Sequence, residues 1–382
     1  MLLIKLVCNN RNIFSIGSDD ASGLSSIIHS DTIFSTICNN FRLLYGKQAL
    51  ESFLSKIIHS ADTTLPVFQI SSAFHYLDVF YQDKLKNTLK FIPKPMLRLP
   101  FSEKSQKIVD LNLKLLKRIE YISFGVLKKI QSGIDLDFTR YHIFSDKYLL
   151  DSSDLDILGI SEALEDQEYN ILDSIQGKWA VYDTYTEEKV RINRIDNSSE
   201  PFTIQKLKLV SSEYFVKDKR KRYKTKPGYY FFLNDDGLTE EEINKVITSI
   251  KYIKDEGIGG KRSIGCGLCD DIKVVENLPE IFNEEIAGPY ENLSLLYPVN
   301  SDLPRIKYYS LIERSGYVTS PNNSGSRIMD HRFMREGGIF SEKIKGKIIQ
   351  VASDELKTSL HPVYKNGIGF FVHLGNEVES NE

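Results

Sequence analysis

Apolar residues recur at two spacings along the chain, and each spacing predicts one kind of element. Leu2 to Val7 is a short apolar run that is typical of a strand. A stripe at helical spacing follows Ser30 and Asp31, either of which can cap a helix, and Gly46 ends it. The stripe consists of Ile33, Phe34, Ile37, Phe41 and Leu44. The pattern therefore predicts a strand and then a helix.

The middle of the chain repeats this alternation. The predicted strands are Val190 to Ile195, Thr203 to Val210, Tyr229 to Leu233 and a short strand near Val274. Thr239-x-x-Glu242 is a capping box that begins a helix, and Gly257 ends that helix. The order strand, helix, two strands, helix, strand is that of a ferredoxin-like fold, which RNA-recognition motifs share.

These elements predict an α+β protein with two domains. The first, residues 1–276, is ferredoxin-like and is enlarged by a helical insertion at about 47–180. The insertion is expected to contain one amphipathic helix, whose inner face is Ile108, Leu111, Leu115, Ile119 and Ile122. Residues 277–382 change to short strands and loops and are expected to form a smaller second domain.

Charge is divided unevenly along the 382 residues, although the net charge is only −3. Residues 151–177 hold eight acidic residues and no Lys or Arg, whereas residues 189–226 hold twelve basic residues against four acidic ones. Such separation can steer a polyanion to one face. Four scattered cysteines predict a reducing cytoplasm, and no apolar run is long enough for a membrane span.

The glycine-rich loop, Gly257 to Gly267, places five glycines in eleven residues directly after a helix. Glycine permits positive φ and close backbone approach, so successive N–H groups can converge on phosphate oxygens. Two neighbouring cations and a hydroxyl add countercharge and a donor. A helix C-cap followed by a bulged strand would explain Gly257 and one more glycine, but not all five. The predicted RNA-binding positions here are Gly257, Gly259, Gly260, Lys261, Arg262, Ser263, Gly265 and Gly267.

Other nucleotide and metal motifs fit this loop poorly. A P-loop needs Ser or Thr after its lysine, whereas Arg262 follows Lys261. A dinucleotide fingerprint that starts at Gly257 would need glycine at position 262. Cys266 and Cys269 have ligand-like spacing, but no second pair lies within zinc-finger distance. Neither a metal nor a cofactor is therefore predicted.

Six segments spread along the chain carry a family resemblance. They are His29-Ser30-Asp31-Thr32-Ile33-Phe34-Ser35, Pro93-Lys94-Pro95, Arg191-Ile192-Asn193-Arg194, the glycine-rich loop, Glu336-Gly337-Gly338-Ile339-Phe340 and His361-Pro362-Val363-Tyr364. In this order they resemble the repeat-associated (RAMP) proteins of CRISPR systems, and among these the subunit-four family of type III-A Csm complexes. The resemblance implies two ferredoxin-like (RRM/RAMP-type) domains, the second smaller and degenerate.

The same resemblance implies a function in antiviral defence. Such proteins are RNA-binding, non-catalytic subunits that hold the 5′ repeat-derived handle of the crRNA. They contact the large (polymerase/cyclase-type) subunit and a backbone RAMP subunit, and they reach target RNA only indirectly. The RNA-binding role is carried over to the glycine-rich loop.

Two further segments receive an RNA-binding role from the resemblance. One is the start of the first helix, where His29, Ser30 and Thr32 suit a phosphate and Asp31 suits capping. The other is the hairpin that begins at Arg191 and Arg194, which corresponds to a thumb that displaces a base in the guide–target duplex.

Alternative interpretations remain open at this point. A guide-processing, metal-independent endoribonuclease of the same superfold would use His29 or Asp19 with Lys261, although the seven histidines form no recognisable catalytic pair. A plain protein-interaction module would bind no RNA. The basic run Lys217 to Lys226 suits non-specific contact with a nucleic-acid backbone, and it suits a surface loop equally well.

Overall fold

The computed structural model describes residues 1–17, 23–63, 66–137, 141–145, 147–159, 180–196, 198–216, 221–276, 280–282, 288–320, 323–352 and 362–375. Asp19, His361, most of the acidic segment and residues 217–220 of the basic run lie outside the described residues. The helices are α1 (Ser30–Thr63), α2 (Gln106–Leu111), α3 (Leu113–Leu116), α4 (Phe124–Gln131), α5 (Ser152–Leu158), α6 (Glu240–Lys251) and α7 (Ile253–Glu256).

The strands fall into an earlier and a later series. The earlier ones are β1 (Leu2–Val7), β2 (Ile13–Phe14), β3 (Gln69–Ile70), β4 (Phe74–Tyr81), β5 (Lys84–Pro93), β6 (Tyr121–Ser123), β7 (Tyr141–Phe144), β8 (Tyr148–Asp151), β9 (Tyr182–Ile192), β10 (Ser199–Leu209), β11 (Ser212–Val216), β12 (Lys221–Asn234) and β13 (Asp271–Val275). The later ones are β14 (Tyr290–Asn292), β15 (Ile306–Tyr308), β16 (Leu311–Arg314), β17 (Tyr317–Ser320), β18 (Asn323–Arg327), β19 (His331–Met334), β20 (Ile339–Phe340), β21 (Ile349–Gln350), β22 (Tyr364–Lys365) and β23 (Phe371–His373).

The main sheet has the strand order of a ferredoxin-like unit. Its centre is β13-β1-β12-β4, and each neighbouring pair is antiparallel. Because α1 follows β1 and α6 follows β12, these elements form one strand–helix–strand–strand–helix–strand unit. This is the order predicted for the first part of the chain, within a mixed α/β protein that contains several sheets.

Helices α1 and α6 cover one face of this sheet. Ile4 of β1 and Phe231 of β12 share a buried core with Phe34 of α1 and Ile250 of α6. Burying each such side chain stabilises the fold by about 1.5–3 kcal/mol. The capping box predicted at Thr239 is present at the start of α6. Helix α1 leaves helical geometry at Gly46, as predicted, but then resumes and continues to residue 63.

The second core strand is not where the sequence placed it. β4 occupies that position beside β12, inside the region predicted as a helical insertion at 47–180. Most of β4 is buried, so it lacks the polar alternation that reveals a half-exposed strand. The insertion therefore begins only after β5. The amphipathic helix predicted within it is also wrong, because short helices and strand β6 replace it and Leu111 is 86% exposed.

The two strands predicted around the 196–201 turn form a separate hairpin. β9 and β10 pair along their whole length, from Tyr182 opposite Leu209 to Ile192 opposite Ser199. β2 joins this sheet only near the base, where Phe14 lies opposite Leu207. The outer half of the hairpin therefore has no third strand among the described residues.

The later strands pack against the end of the main sheet. β15-β20-β14-β23 form a four-stranded antiparallel sheet, and no α-helix occurs among the described residues after 288. Phe370 stacks on Phe232 of β12, with ring centroids 5.8 Å apart. The two parts of the chain therefore share one apolar core. None of the described helices combines the length and apolarity that crossing a bilayer requires.

Candidate nucleic-acid interface

An open cleft of about 900 Å³ lies between the base of the hairpin, the start of α1 and the later strands. Its polar and charged lining includes Ser25, Ser26 and His29 before α1, Lys94, Glu120 and Lys147 from the insertion, Tyr182 and Gln205 from the hairpin, and Glu313, Arg314, Arg335 and Glu336 from the later strands. Segments far apart in sequence therefore meet in one concave surface.

Three of the family segments meet at this cleft. Nδ1 of His29 lies 2.8 Å from Oε1 of Glu336. The amide of Met96, just after Pro93-Lys94-Pro95, donates to the carbonyl of Gly337 at 2.8 Å. Gly337 has φ +88°, and a Cβ there would lie 3.0 Å from the carbonyl oxygen of Lys94. Glycine at 337 therefore permits the close approach of the two segments.

Two cleft cations are not neutralised. Among the described residues, Lys94 and Arg335 have no carboxylate within salt-bridge distance, and Arg335 is exposed. Burial lowers the pKa of Lys94, a shift that a bound phosphate would oppose. By contrast, Lys147 lies 2.9 Å from Glu120 and donates to the Tyr182 hydroxyl at 2.6 Å. Burial opposes the charge of Lys147, but these two hydrogen bonds raise its pKa overall.

An aromatic cluster stands behind the cleft wall. The half-buried Tyr182 stacks on His75, with ring centroids 5.4 Å apart and an interplanar angle of 19°. Burial lowers the pKa of His75 to about 3, so this histidine is neutral and takes no proton at neutral pH. Tyr121 contacts His75 edge-on and shares a 2.6 Å hydrogen bond with Ser26. Tyr182 and Tyr185 both line this wall, and Tyr185 is the more exposed of the two.

Ser25, His29 and Glu336 are linked in the same sequence of contacts as a catalytic triad, but their hydrogen bonds do not match those of one. Nε2 of His29 lies 3.2 Å from Ser25 Oγ, and Nδ1 contacts Glu336. A triad needs a serine whose proton passes to the histidine. Here Ser25 Oγ donates to the carbonyl of Ile27 at 2.9 Å, and the His29 side chain is 1% exposed. The role of this network is therefore structural: it holds the residues at the floor of the cleft in place.

At the start of α1, the side chains of His29 and Ser30 are buried and that of Thr32 is half-buried, so the phosphate site predicted at these three residues is largely closed off. The amide of Ser30 donates to Ser72 Oγ at 2.9 Å, and its hydroxyl accepts from the amide of Leu295 at 2.9 Å. The later strands cover this helix end, so Ser30 has no surface for RNA.

The neighbouring Asp31 and Thr32 are also engaged inside the protein. Asp31, predicted as a cap, accepts two hydrogen bonds from Arg314 and one from Lys365 at 3.1 Å. Arg314 also donates to the Thr32 hydroxyl at 3.0 Å. Burial alone would raise the pKa of Asp31, but the charges of Arg314 and Lys365 hold it well below its usual range.

The glycine-rich loop lies beside β2 and close to the cleft, but none of its residues lines the cleft. The amide of Gly260 donates to the carbonyl of Ser15 at 2.9 Å, and that of Gly267 to the carbonyl of Ile13 at 2.7 Å. The chain then continues from Ser15 to Gly17, which does line the cleft. The loop is therefore a neighbour of the cleft rather than part of its wall.

Main-chain packing and backbone conformation require glycine at more positions of the loop than the two that a helix C-cap and a bulged strand were expected to explain. A Cβ on Gly267 would lie 2.0 Å from the carbonyl oxygen of Ile258. Positive φ occurs at Gly257, Gly259, Gly265 and Gly267. Four of the five glycines therefore have a conformational reason to be present, and their number is no argument for phosphate binding.

Most amides of the loop are already used within the protein. The amides that donate to main-chain carbonyls are those of Gly257, Ile258, Gly260, Ile264, Gly265, Cys266 and Gly267. They cannot also form the predicted cradle around a phosphate. The side chains of the half-exposed Lys261 and Arg262 and the exposed Ser263 are what the loop offers to a ligand.

Arg191 and Arg194 are exposed in the outer half of the hairpin and do not line the cleft. Arg191 lies 3.7 Å from Glu200 and its guanidinium is 5.8 Å from the Phe202 ring centroid. Between the strands, Ile195 is 94% exposed. The hairpin thus projects basic and apolar side chains together.

The cysteine pair of the loop has the chemistry of buried thiols. Burial raises the pKa of Cys269 to about 12, which disfavours the thiolate that zinc requires. Within the described ranges, no three His, Cys, Asp or Glu side chains are close enough together to hold a metal ion.

Sequence reasoning did not assign a role to most of the charged and aromatic cleft residues. These residues are Lys94, Lys147, Tyr182, Arg314 and Arg335. Two sequence segments pointed to this site: Pro93-Lys94-Pro95 contains Lys94, and Glu336-Gly337-Gly338 directly follows Arg335.

Comparison with known protein families gives two matches that together span most of the chain. Residues 15–270 match the RAMP superfamily, and residues 287–374 match the CRISPR Csm4 C-terminal domain. A Methanocaldococcus jannaschii protein described as CRISPR system protein Csm4 is 28% identical over 341 residues, which is 84% of this chain and 80% of that protein.

Solved structures share the fold over nearly the whole chain. A Csm3–Csm4 subcomplex of a type III-A CRISPR–Cas interference complex contains a chain with TM-score 0.66 and 21% identity, covering 97% of this chain and 99% of that one. A Csm1–Csm4 cassette in complex with cA4 contains another, with TM-score 0.50 and 15% identity, covering 98% of each chain. At these identities the likeness concerns the fold.

Proposed function

Because this chain belongs to the RAMP superfamily, we propose that it is a Csm4-type subunit of a type III-A CRISPR ribonucleoprotein whose cleft holds the 5′ repeat-derived handle of the crRNA. One observation carries the proposal. Lys94 and Arg335, from distant segments, are cations without a carboxylate partner among the described residues, in a cleft that the Tyr182 ring also lines. Phosphate contacts of this kind fix the register of a strand, and an aromatic ring adds stacking.

Each segment predicted to bind RNA has a defined part in this proposal. Lys261, Arg262 and Ser263 extend the phosphate path beyond the cleft, and the loop glycines shape the turn that presents them. Arg191 and Arg194 belong to a thumb that reaches the guide–target duplex. His29, Ser30 and Thr32 keep the cleft in shape and do not touch RNA.

The partners in this proposal are the large subunit and a backbone RAMP subunit, because solved relatives pair Csm4 with Csm1 or Csm3. The chain itself does not cut RNA. Residues 1–276 are an enlarged ferredoxin-like domain. Residues 277–382 are a second, strongly reduced one, which has no α-helix among its described residues and shares part of its core with the first. The assembly works in a reducing cytoplasm, where the four thiols stay unpaired.

The test is to express the full chain with a CRISPR array and sequence the RNA that purifies with it at low salt. We expect short RNAs that share one constant 5′ end. Ultraviolet crosslinking followed by mass spectrometry should then attach this RNA to peptides that contain Lys94, Tyr182 or Arg335.

Three outcomes would contradict the proposal. Failure to retain RNA at low salt would favour a protein-interaction module. Crosslinks confined to surfaces away from the cleft would exclude it as the handle site. Metal-independent cleavage of labelled repeat RNA that is lost in His29→Ala would favour the endoribonuclease.

A further inference from the structure

The described half of the basic run, Lys221 to Lys226, is part of strand β12 of the main sheet. Side chains alternate between the two faces of a strand, so Lys224 and Lys226 point to the same face and Thr225 points to the other. Thr225 is buried, whereas Lys226 is exposed. The side chains of the basic run therefore divide between the two faces of the sheet, and three of its cations, Arg222, Lys224 and Lys226, share one face.

Three more lysines of the sheet lie on that side. Lys5 of β1 is directly opposite both Lys273 of β13 and Tyr230 of β12. Tyr230 and Lys226 are four residues apart on β12 and so face the same way. Lys90 of β5 is opposite Tyr76 of β4, which is in turn opposite Gly228 of β12. We call this surface the cationic sheet face: Lys5, Lys90, Lys224, Lys226 and Lys273.

This face is separate from the cleft. Tyr229, which alternates with Gly228 and Tyr230, points the other way, and its hydroxyl donates to the carbonyl of Ser26 in the cleft lining. An RNA strand in the cleft therefore lies on the other side of the sheet. The inner part of the cationic sheet face, around Tyr230 and Phe232, is buried, and its accessible part is the half-exposed Lys224 with the exposed Lys226 and Lys273.

Carboxylates neutralise only part of this charge. Lys5 forms a salt bridge with Asp78 at 2.8 Å. Glu213 forms salt bridges with both Arg222 and Lys224. The ammonium of Lys226 instead sits 4.8 Å from the centroid of the half-exposed Phe80 ring.

The inner end of the face holds Lys5, Lys90 and the carboxylate of Asp78. Burial, and secondarily the charge of Lys5, lowers the pKa of Lys90. A bound anion would relieve that repulsion. Lys273 is exposed at the opposite edge, on β13.

We infer that the cationic sheet face is a second binding surface, and that its ligand is single-stranded nucleic acid outside the guide handle. The half-exposed Lys224 and the exposed Lys226 and Lys273 match the charge of a phosphate backbone. Phe80 is half-exposed, and a base stacks on its ring when the Lys226 ammonium moves from the ring to a phosphate. Sheets of this strand order bind unpaired RNA through aromatic residues on their open face in RNA-recognition motifs. An acidic protein segment would use the cations but would not need Phe80 exposed.

The test measures how the full chain binds a labelled oligouridine of about 15 nucleotides, which carries no repeat sequence. The variant combines Lys224→Ala, Lys226→Ala and Lys273→Ala. Its matched control combines Lys47→Ala, Lys104→Ala and Lys251→Ala, which remove the same charge from exposed sites elsewhere. Both sets are made with Lys94→Ala and Arg335→Ala, so that binding in the cleft does not mask the result.

We expect the sheet variant to bind the oligouridine at least about tenfold more weakly at low salt. The slope of log affinity against log salt should become shallower by about 2, because each of the three lost phosphate contacts contributes about 0.7. The control should keep both values. Crosslinks from 4-thiouridine should fall on peptides that contain Phe80 or Lys226. Equal binding by the two triple variants would overturn the inference. The inference would also be overturned if the sheet variant bound RNA as tightly as the control but lost an acidic protein that purifies with the wild-type chain.

Discussion

The carboxylate of Asp31 accepts two hydrogen bonds from the guanidinium of Arg314, at 3.0 Å to Nε and 2.9 Å to Nη2, and so joins the start of α1 to strand β16. Both side chains are buried, and Lys365 contacts the same carboxylate. A bidentate pair fixes geometry as well as charge. This pair therefore holds the later strands against the helix at the floor of the cleft.

Replacing Asp31 should destabilise the protein strongly. Asp31→Asn leaves Arg314 and Lys365 buried without a counter-ion, and such a loss costs about 3–5 kcal/mol. Denaturant unfolding measures the change in free energy. Glu51→Gln, which removes an exposed carboxylate next to Lys47, is the control and should change it by less than about 0.5 kcal/mol. A loss below about 1 kcal/mol for Asp31→Asn would mean that the pair is not needed.

The same pair predicts how stability depends on acid. The folded pKa of Asp31 is depressed, so its contribution is complete above the unfolded pKa of about 4 and is lost as pH falls below it. Wild type and Asp31→Asn should therefore differ by a constant amount between pH 5 and 7 and converge at lower pH. Parallel curves down to pH 3 would contradict the assignment.

Glu291 should have the opposite effect on how stability depends on pH. It is fully buried in β14, and neither carboxylate oxygen has a hydrogen-bond partner among the described residues. Burial raises its pKa well above the ordinary value. As pH rises past about 4.5, the unfolded chain ionises and the folded chain does not, so stability falls by up to about 1.4 kcal/mol per pH unit. Glu291→Gln should remove this slope and be more stable than wild type at pH 8.

Asp154 provides the matched comparison for Glu291. Burial raises its pKa to about 6, so Asp154→Asn should change the pH dependence only between about 4 and 6. Above pH 6 its difference from wild type should be constant. If Glu291→Gln followed wild type at every pH up to 8, Glu291 would not be neutral in the fold.

The glycine-rich loop offers a comparison between two of its own positions. Alanine at 267 would place Cβ 2.0 Å from the carbonyl oxygen of Ile258, whereas a Cβ at 265 meets nothing within 4 Å. Both have positive φ, which costs about 1–2 kcal/mol for alanine. Gly267→Ala should therefore lose about 3 kcal/mol or more of unfolding free energy, and Gly265→Ala only the conformational cost. Equal losses would show that close packing does not constrain position 267.

Local signals predicted the local elements well. Thr239 and Glu242 cap α6 as expected. The helix predicted to run to Gly257 is divided in two, because α6 ends at Lys251 and Gly257 ends the short helix α7. The family resemblance is confirmed by the RAMP superfamily match. These features depend on residues that are close in sequence, where a cap or a glycine has the same physical effect in most folds.

The elements that escaped prediction depend on distant neighbours. β4 is buried mainly because the insertion and β12 cover it, so its sequence shows no alternation. Ser30 appeared to be a free helix start because nothing near it in sequence reveals that Leu295 will cover it. Lys94 and Arg335 are separated by more than two hundred residues, and only the tertiary fold brings them to one cleft.

The cleft cations give the most direct test of RNA binding. Lys94→Ala with Arg335→Ala should weaken binding of the handle RNA and lower the salt slope by about 1.4, because each lost contact with a single strand removes about 0.7. Stability should change by no more than about 1.5 kcal/mol, since neither cation has a carboxylate partner among the described residues and Lys94 loses one hydrogen bond, to the carbonyl of Leu116 at 3.3 Å. Lys47→Ala with Lys251→Ala removes equal charge from exposed helix positions and should leave the slope as it is. Titrations at several salt concentrations distinguish these cases, and an identical slope in both double variants would place the handle somewhere other than this cleft.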